Sequence, residues 1–292
     1  MFFRPIQASP ILRMFIRNYW HLKATALADG AQRIMSNGAV SIYFFIAQPM
    51  RFADDERFFT SCITGHDLGY VELVTMRGPV DVLGVEFAPF GARVFFDFPI
   101  SECTGLHVSP SDLGDVEFLD LEARMLEDIP MERRVALLDD FFLARLARHG
   151  SAGVNLGRMQ SVFGTLLSSP VGLSADVDMS PAAMADIACL SAKQFSRVFA
   201  DYVGLSPKTY LRIMRFHSAT LLMKQMREEG DTSSDIAWRC GFYDLPHMTS
   251  EFRHICGQPP SVVLNQSEVF TEVLQSTFSA KMKKKILVCN MI

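Results

Sequence analysis

The last third of this 292-residue chain repeats itself, and the repeat constrains the fold more than any other feature. Phe195, Phe199, Gly204 and Pro207 recur 53 positions later as Met248, Phe252, Gly257 and Pro260. The triplet Asp186-Ile187-Ala188 recurs as Asp235-Ile236-Ala237 at an offset of 49, which assigns four extra residues to the turn of the second copy. Such self-similarity marks one supersecondary unit used twice. Each copy is punctuated as helix, tight turn, helix. Ser180-Pro181 opens the first copy, with Ser as cap and Pro at the first helical position. A turn follows through Cys189 and Leu190. Ser191 then caps a second helix, and Gln194 three residues on completes a capping box. Phe195, Val198, Phe199 and Tyr202 give that helix its buried face, and Gly204 ends it. In the second copy Ala237 and Gly241-Phe242 make the turn, and Asp244 stands where Ser191 stood. Pro246 falls in the first turn, where a missing N–H breaks no intrahelical bond. Met248, Phe252 and Ile255 form the buried stripe up to Gly257.

Ser206-Pro207 between the copies is another cap-plus-Pro start. The run through Tyr210, Leu211, Met214, Leu221 and Leu222 to about Met226 predicts a linker helix. Twenty helical residues span about 30 Å, and successive major-groove faces on one side of B-DNA are about 34 Å apart. A stiff helix of this length holds two reading heads over adjacent groove segments.

The net charge of −4 conceals an asymmetry. Residues 181–264 hold nine Lys/Arg against eight Asp/Glu, residues 265–292 hold four Lys against two Glu, and residues 1–180 are left with −7. This is the sign expected of an acidic regulatory domain joined to a DNA reader, although +1 is a weak field and the pattern carries the case.

The N-terminal part reads differently. Val40–Ala47, Phe58–Thr64, Tyr70–Met76 and Val80–Phe87 are rich in β-branched and aromatic residues, and Gly65–Gly69 and Arg77–Pro79 punctuate them. Short strands so spaced suggest a sandwich or small barrel. From Glu117 the period becomes helical: Leu119, Leu121, Met125 and Leu126 form one stripe, and Val135, Leu138, Phe142 and Leu146 another, with Pro130 between them and His149–Ser151 ending the second. Ser168–Ser180 has the composition of a loop. With 49% hydrophobic and 21% charged residues the chain reads as globular rather than disordered. It has no apolar run of the roughly 20 residues that a membrane helix needs and no signal-peptide pattern, so a cytoplasmic location is expected. Six scattered cysteines (Cys62, Cys103, Cys189, Cys240, Cys256 and Cys289) lack zinc spacing and read as reduced thiols.

The residues of the repeat resemble the AraC/XylS family of transcription regulators. The match runs through D-I-A-C-L-S-A-K-Q-F-S-R-V-F from Asp186, G-L-S-P-K-T-Y from Gly204, Arg215-Phe216 and Ala219. It continues as D-I-A-W-R-C-G-F-Y-D-L-P-H-M-T-S-E-F from Asp235, with Gly257 and Pro260. The resemblance implies an α+β chain: a β-sandwich or cupin-like sensor domain with a helical extension over 1–150, a double helix-turn-helix domain over 151–264, and a basic tail over 265–292. By family geometry Lys193, Ser196 and Arg197 face DNA bases in the first copy, with Gln194 beside them and divided between base and cap. Pro246, Thr249 and Ser250, with His247 adjacent, occupy the equivalent place in the second. Many relatives carry Arg where Ser250 stands, so the second head is expected to read bases weakly. Lys208, Arg212, Arg239 and Arg253 are the candidate backbone contacts, Arg215 is a candidate brace for the linker, and Ser191 and Asp244 are the helix caps. The tail Lys281–Lys285 reads as a basic extension.

The implied partners are double-stranded operator DNA, a second copy of the chain, RNA polymerase if the protein activates, and a small-molecule effector. No cofactor is implied. His66, Glu86 and His107 lack the His-x-His pattern of a cupin metal site and read as isolated polar residues. Tyr43, Phe44, Phe45, Phe87 and Phe95 read as core rather than pocket. The alternative is a cupin-like enzyme or DNA-repair protein with a DNA-binding appendage. It would need a metal or zinc-thiolate motif, a G-x-S-x-G or a nucleotide loop, and none of these occurs.

Overall fold

The computed structural model describes residues 2–25, 31–35, 38–66, 69–74, 78–149, 153–168 and 180–263. The basic tail, including Lys281–Lys285, and most of Ser168–Ser180 lie outside them. The chain forms two compact units, the first carried mainly by residues up to Gly153 and the second mainly by those from Val154 onward.

The first unit is a pair of antiparallel sheets with helices. Its strands are β1 (Phe2–Ile6), β2 (Ile16–Ala24), β3 (Ala31–Met35), β4 (Ser41–Phe45), β5 (Arg51–Phe52), β6 (Ser61–Thr64), β7 (Tyr70–Val74), β8 (Val80–Phe87) and β9 (His107–Val108). One sheet runs β1-β2-β8-β4-β6-β9 and the other β3-β7-β5. Tyr43, Phe45, Val80 and Val82 of the large sheet share a core with Phe52 and Leu73 of the small one, so the sheets pack as a sandwich. The opposite face of β4 and β8 is covered as well. Phe44 meets Phe118 at 6.1 Å between ring centroids, and Phe87 meets Phe142 at 5.6 Å. All five residues of β4 are therefore buried, which is why it reads as an unbroken apolar run.

β1 and β2 escape the search for apolar runs. β2 interleaves Arg17, Asn18, His21 and Lys23 with its apolar residues. Arg17 is paired to Glu86 at 2.9 Å, and His21 and Lys23 meet Asp81 at 2.7 and 2.9 Å. β1 carries Pro5, which suits it only to the sheet edge that it occupies. Gly84 of β8 lies opposite Trp20, and a Cβ there would come within 2.1 Å of the indole. The missing side chain is what lets Trp20 lie over the sheet.

The helices of this unit are α1 (Pro110–Leu113), α2 (Val116–Met125) and α3 (Met131–His149). The expected stripe on α2 is displaced. Phe118, Leu121 and Met125 are buried, whereas Leu119 and Leu126 are exposed. The register is fixed by polar groups invisible to periodicity. Asp115 caps α2 by accepting from the Phe118 N–H at 3.0 Å and is gripped by buried Arg145 of α3 at 2.5 and 2.6 Å. Arg134, also buried, donates to the carbonyls of Met125, Glu127 and Ile129 and so closes the C-terminal end of α2.

Glu86, His66 and His107 do not converge. Glu86 is bonded to Arg17, and burial pushes its carboxyl upward against the pull of that charge. His107 stacks on Phe52 at 3.4 Å and contacts Thr64 at 3.3 Å. Tyr43, Phe44, Phe45, Phe87 and Phe95 are all core.

The second unit is all helix: α4 (Val154–Ser168), α5 (Pro181–Ile187), α6 (Ala192–Val203), α7 (Pro207–Glu228), α8 (Ser233–Arg239), α9 (Leu245–Cys256) and α10 (Pro260–Val263). The sequence reading did not anticipate α4. Its Phe163 stacks on Phe199 of α6 at 5.8 Å and meets Tyr210 of α7 at 5.5 Å, so it closes the first helix pair from behind.

Candidate nucleic-acid interface

The two helix pairs, α5–α6 and α8–α9, are built alike, but in a different register from the one that the D-I-A triplets suggest. Ser180 caps α5 by accepting from the Ala183 N–H, and Thr232 caps α8 by accepting from the Asp235 N–H. Both helices are seven residues long, so they correspond at an offset of 52 rather than 49. The turns agree with this register. Leu190 N–H donates to Ala185 O at 3.0 Å, and Phe242 N–H to Ala237 O at 2.9 Å. Cys189 has φ +52, and its counterpart Gly241 has φ +76. Both are left-handed helix stops. Ala237 thus corresponds to Ala185 and lies inside α8, not in the turn. Since the second helices keep the offset of 53, the second turn is longer by one residue rather than four. The recurrence of D-I-A at 49 is accidental: Asp186 matches Trp238, on the exposed side.

The second helices present capped N-termini. Ser191 Oγ accepts from the Gln194 N–H at 3.3 Å, while Gln194 Oε1 accepts from the Ser191 N–H at 3.2 Å and from its hydroxyl at 2.8 Å. Gln194 therefore spends its side chain on the cap. Asp244 accepts from the His247 N–H at 2.7 Å, and His247 Nδ1 accepts from the Tyr243 N–H at 3.1 Å. Each cap of this kind stabilises its helix by about 1 kcal/mol.

Behind the caps, Phe195, Val198, Phe199 and Val203 are buried on α6 and Met248, Phe252 and Ile255 on α9. Tyr202, expected in the buried face, is half-buried, and Val203 takes its place. Phe252 meets Phe216 of α7 at 4.7 Å and Phe242 at 6.3 Å. Each fully buried Phe contributes about 1.5–3 kcal/mol, so each head is anchored from its inner face and its outer face is left to solvent.

That outer face carries the sequence candidates. Lys193, Gln194, Ser196 and Arg197 are exposed on α6, as are Pro246 and Ser250 on α9, with His247 and Thr249 half-buried. The backbone candidates divide. Lys208 and Arg253 are exposed. Arg212 of α7 makes a two-pronged bond to Glu251 of α9, at 2.8 and 3.0 Å. Burial works against the Glu251 carboxylate, but the Arg212 bonds and charge, aided by His247 and His254, outweigh it and hold the carboxyl below its ordinary range. Arg239 is paired with Asp231. Arg215 lies 5.9 Å over the Phe242 ring and so braces the second turn against the linker. The sequence reading passed over Glu251, whose pairing with Arg212 no spacing reveals. It also passed over Trp238 and Tyr243, which are the most exposed large side chains beside the second turn at 76% and 89%. Their signal was available as aromatic residues at positions that the repeat leaves outside the buried stripe. Among the described residues no group of three or more His, Cys, Asp or Glu is placed to hold a metal, and no helix is long and apolar enough to cross a membrane.

Two capped helix pairs joined by one long helix form a double helix-turn-helix domain, the arrangement that the resemblance to the AraC/XylS regulators implied. Residues 184–266 match the family described as Helix-turn-helix domain, and residues 4–109 match Domain of unknown function (DUF6597). The chain is similar to the HTH-type transcriptional activator RhaS of Enterobacter sp. (strain 638), with 36% identity over 70 residues, 24% of either chain. It is also similar to the HTH-type transcriptional regulator Rv1931c of Mycobacterium tuberculosis, with 36% identity over 77 residues, 26% of this chain and 29% of the other. The chain thus spans about a quarter of the length of these relatives. A structure of ToxT from Vibrio cholerae aligns with 84% of this chain and 97% of its own at 12% identity, with a TM-score of 0.43.

Proposed function

We propose that the chain is a sequence-specific DNA-binding transcription regulator, not an enzyme, whose first unit controls it through an effector or through self-association. The observation that carries this reading is the pair of capped helices, α6 and α9, both packed on the N-terminal half of the linker α7, α6 through Phe199 on Tyr210 and α9 through Phe252 on Phe216 and Glu251 on Arg212. The sequence expectation that the full length of the linker separates the heads is corrected by these contacts: Tyr210 and Phe216 are six residues apart, about 9 Å along the helix, so the heads are held by the body of α7 and not by its two ends. Lys193, Ser196 and Arg197 supply base contacts in the first head. A two-pronged Arg197–guanine pair discriminates by about 1–3 kcal/mol. Thr249, Ser250 and His247 make weaker ones in the second. Lys208 and Arg253 contact phosphate directly, and Arg212 and Arg239 do so while sharing their charge with Glu251 and Asp231. Gln194 stays on its cap. If the protein activates, as RhaS does by its name, RNA polymerase is a further partner.

The self-association face is on α2. Val116, Leu119 and Ala123 of α2 and Leu126 at its C-cap are exposed at spacings of three, four and three, a short apolar stripe on the surface. A second copy of the same stripe covers it. Selection of genomic fragments by the purified chain, followed by anisotropy titration of a recovered duplex and a scrambled one, tests the DNA reading. The expected result is a preference of at least about a thousandfold, reduced by about five- to 150-fold in Arg197→Ala. Equal affinity for both duplexes would refute it. Sedimentation of Leu119→Asp beside wild type tests the self-association face: the variant is expected to be monomeric, and an unchanged dimer refutes the role of α2.

A further inference from the structure

The two heads differ by one residue in the turn, and that residue is Tyr243. Leu190 and Phe242 close equivalent bonds, and Ser191 and Asp244 are equivalent caps. In the first head Leu190 is followed directly by the cap, whereas in the second Tyr243 intervenes. It is not a loose insertion. Its N–H is fixed on His247 Nδ1 at 3.1 Å, and it stands between buried Phe242 and the capping Asp244. A held peptide therefore presents a side chain that is 89% exposed.

In a helix-turn-helix the N-terminal end of the second helix enters the major groove. A residue just before its cap consequently stands at the groove wall, where the nearest chemistry is ribose and phosphate. The second head also needs such a contact. The positions of Lys193 and Arg197 are filled here by Pro246 and Ser250, so two cations of the first head have no counterpart. Tyrosine hydroxyls are among the usual donors to phosphate oxygens.

We propose that Tyr243 is a DNA-backbone contact of the second head, its phenol O–H donating to a phosphate oxygen at the groove wall. The inference rests on the regulator reading above. It replaces two missing cationic contacts with a neutral one, which adds affinity without steepening the salt dependence.

The test uses the full chain and two probes, a duplex recovered by genomic selection and a scrambled duplex of equal length. Tyr243→Phe is expected to weaken binding to both by about five- to tenfold, within the range of one ordinary net hydrogen bond, as suits a wet interface. The slope of log affinity against log salt should be unchanged, and one phosphate should drop out of the ethylation-interference pattern. Because the side chain is exposed, the melting temperature should match wild type. Wild-type affinity in Tyr243→Phe overturns the proposal, whether or not Tyr243→Ala binds worse. A wild-type chain that prefers neither duplex defeats the regulator reading itself, which is a different result.

Discussion

Replacing Glu251 by Gln separates two jobs that the Arg212–Glu251 pair performs at once. The pair ties the second reading helix α9 to the linker α7 through two bonds of 2.8 and 3.0 Å, with side-chain exposures of 34% for Arg212 and 15% for Glu251. Exposed pairs contribute about 0.2–1 kcal/mol, and two-pronged, partly buried ones more. Gln keeps the shape and one acceptor while removing the charge, so a loss of about 1 kcal/mol at pH 7 is expected. In a chain of this size that lowers the melting temperature by about 2–4 °C. The pH dependence follows from the direction of the shift. The folded Glu251 carboxyl titrates below its ordinary value, so its stabilisation is present above the unfolded pKa of about 4.3 and is lost as pH falls through the folded pKa. The difference between variant and wild type should therefore shrink in acid.

On DNA the same change works in the opposite direction. A guanidinium released from its carboxylate is free to neutralise a phosphate, and log affinity against log salt should steepen by about 0.9. Glu251→Gln is thus expected to be a less stable protein and a tighter non-specific binder. Thermal melts at pH 7 and pH 4, with anisotropy titrations at several salt concentrations, measure both. An unchanged melt would refute the bracing role, and an unchanged slope would mean that Arg212 does not reach the phosphate backbone.

Two further outcomes follow from backbone geometry. Gly84→Ala would place a Cβ about 2.1 Å from the Trp20 indole, and overpacking of this kind costs about 1–3 kcal/mol; a melt within 0.5 °C of wild type would show that Trp20 moves aside freely. Gly241→Ala puts a side chain at φ +76 and should destabilise by about 1 kcal/mol, whereas Cys189→Gly relieves the same conformation at φ +52 and should stabilise by less. Denaturant midpoints measure both, and equal signs for the two substitutions would contradict the correspondence of the turns.

The C-terminal domain was legible because its elements are announced locally. Ser180-Pro181, Ser191, Ser206-Pro207, Asp244 and Gly257 are caps and stops whose chemistry acts within four residues, and each marks an element boundary in the fold. The register of the repeat was misread for a related reason. Asp186-Ile187-Ala188 and Asp235-Ile236-Ala237 match as letters, but burial pairs Met184-Ala185 with Ile236-Ala237. The buried pair is the physically constrained one. Aligning the caps Ser180 and Thr232 would have found it.

What stayed hidden is what periodicity does not weigh. On α2 the apolar residues form two stripes, Phe118-Leu121-Met125 and Val116-Leu119-Ala123-Leu126, and amphipathic counting alone does not choose between them. The choice is made by Asp115 and Arg145, since the cap sets where the helix begins and the buried guanidinium fixes which face turns inward. The rejected stripe is then left at the surface. A similar division separates the two heads. Lys193 and Arg197 give the first head two exposed cations, while Pro246 and Ser250 stand at those positions in the second and the extra Tyr243 lies beside its cap. On this reading operator sequence is selected mainly through α6. The second head, through α9, Arg253 and Tyr243, adds affinity that is nearly indifferent to sequence, so base changes under the first half-segment should cost far more than the same changes under the second.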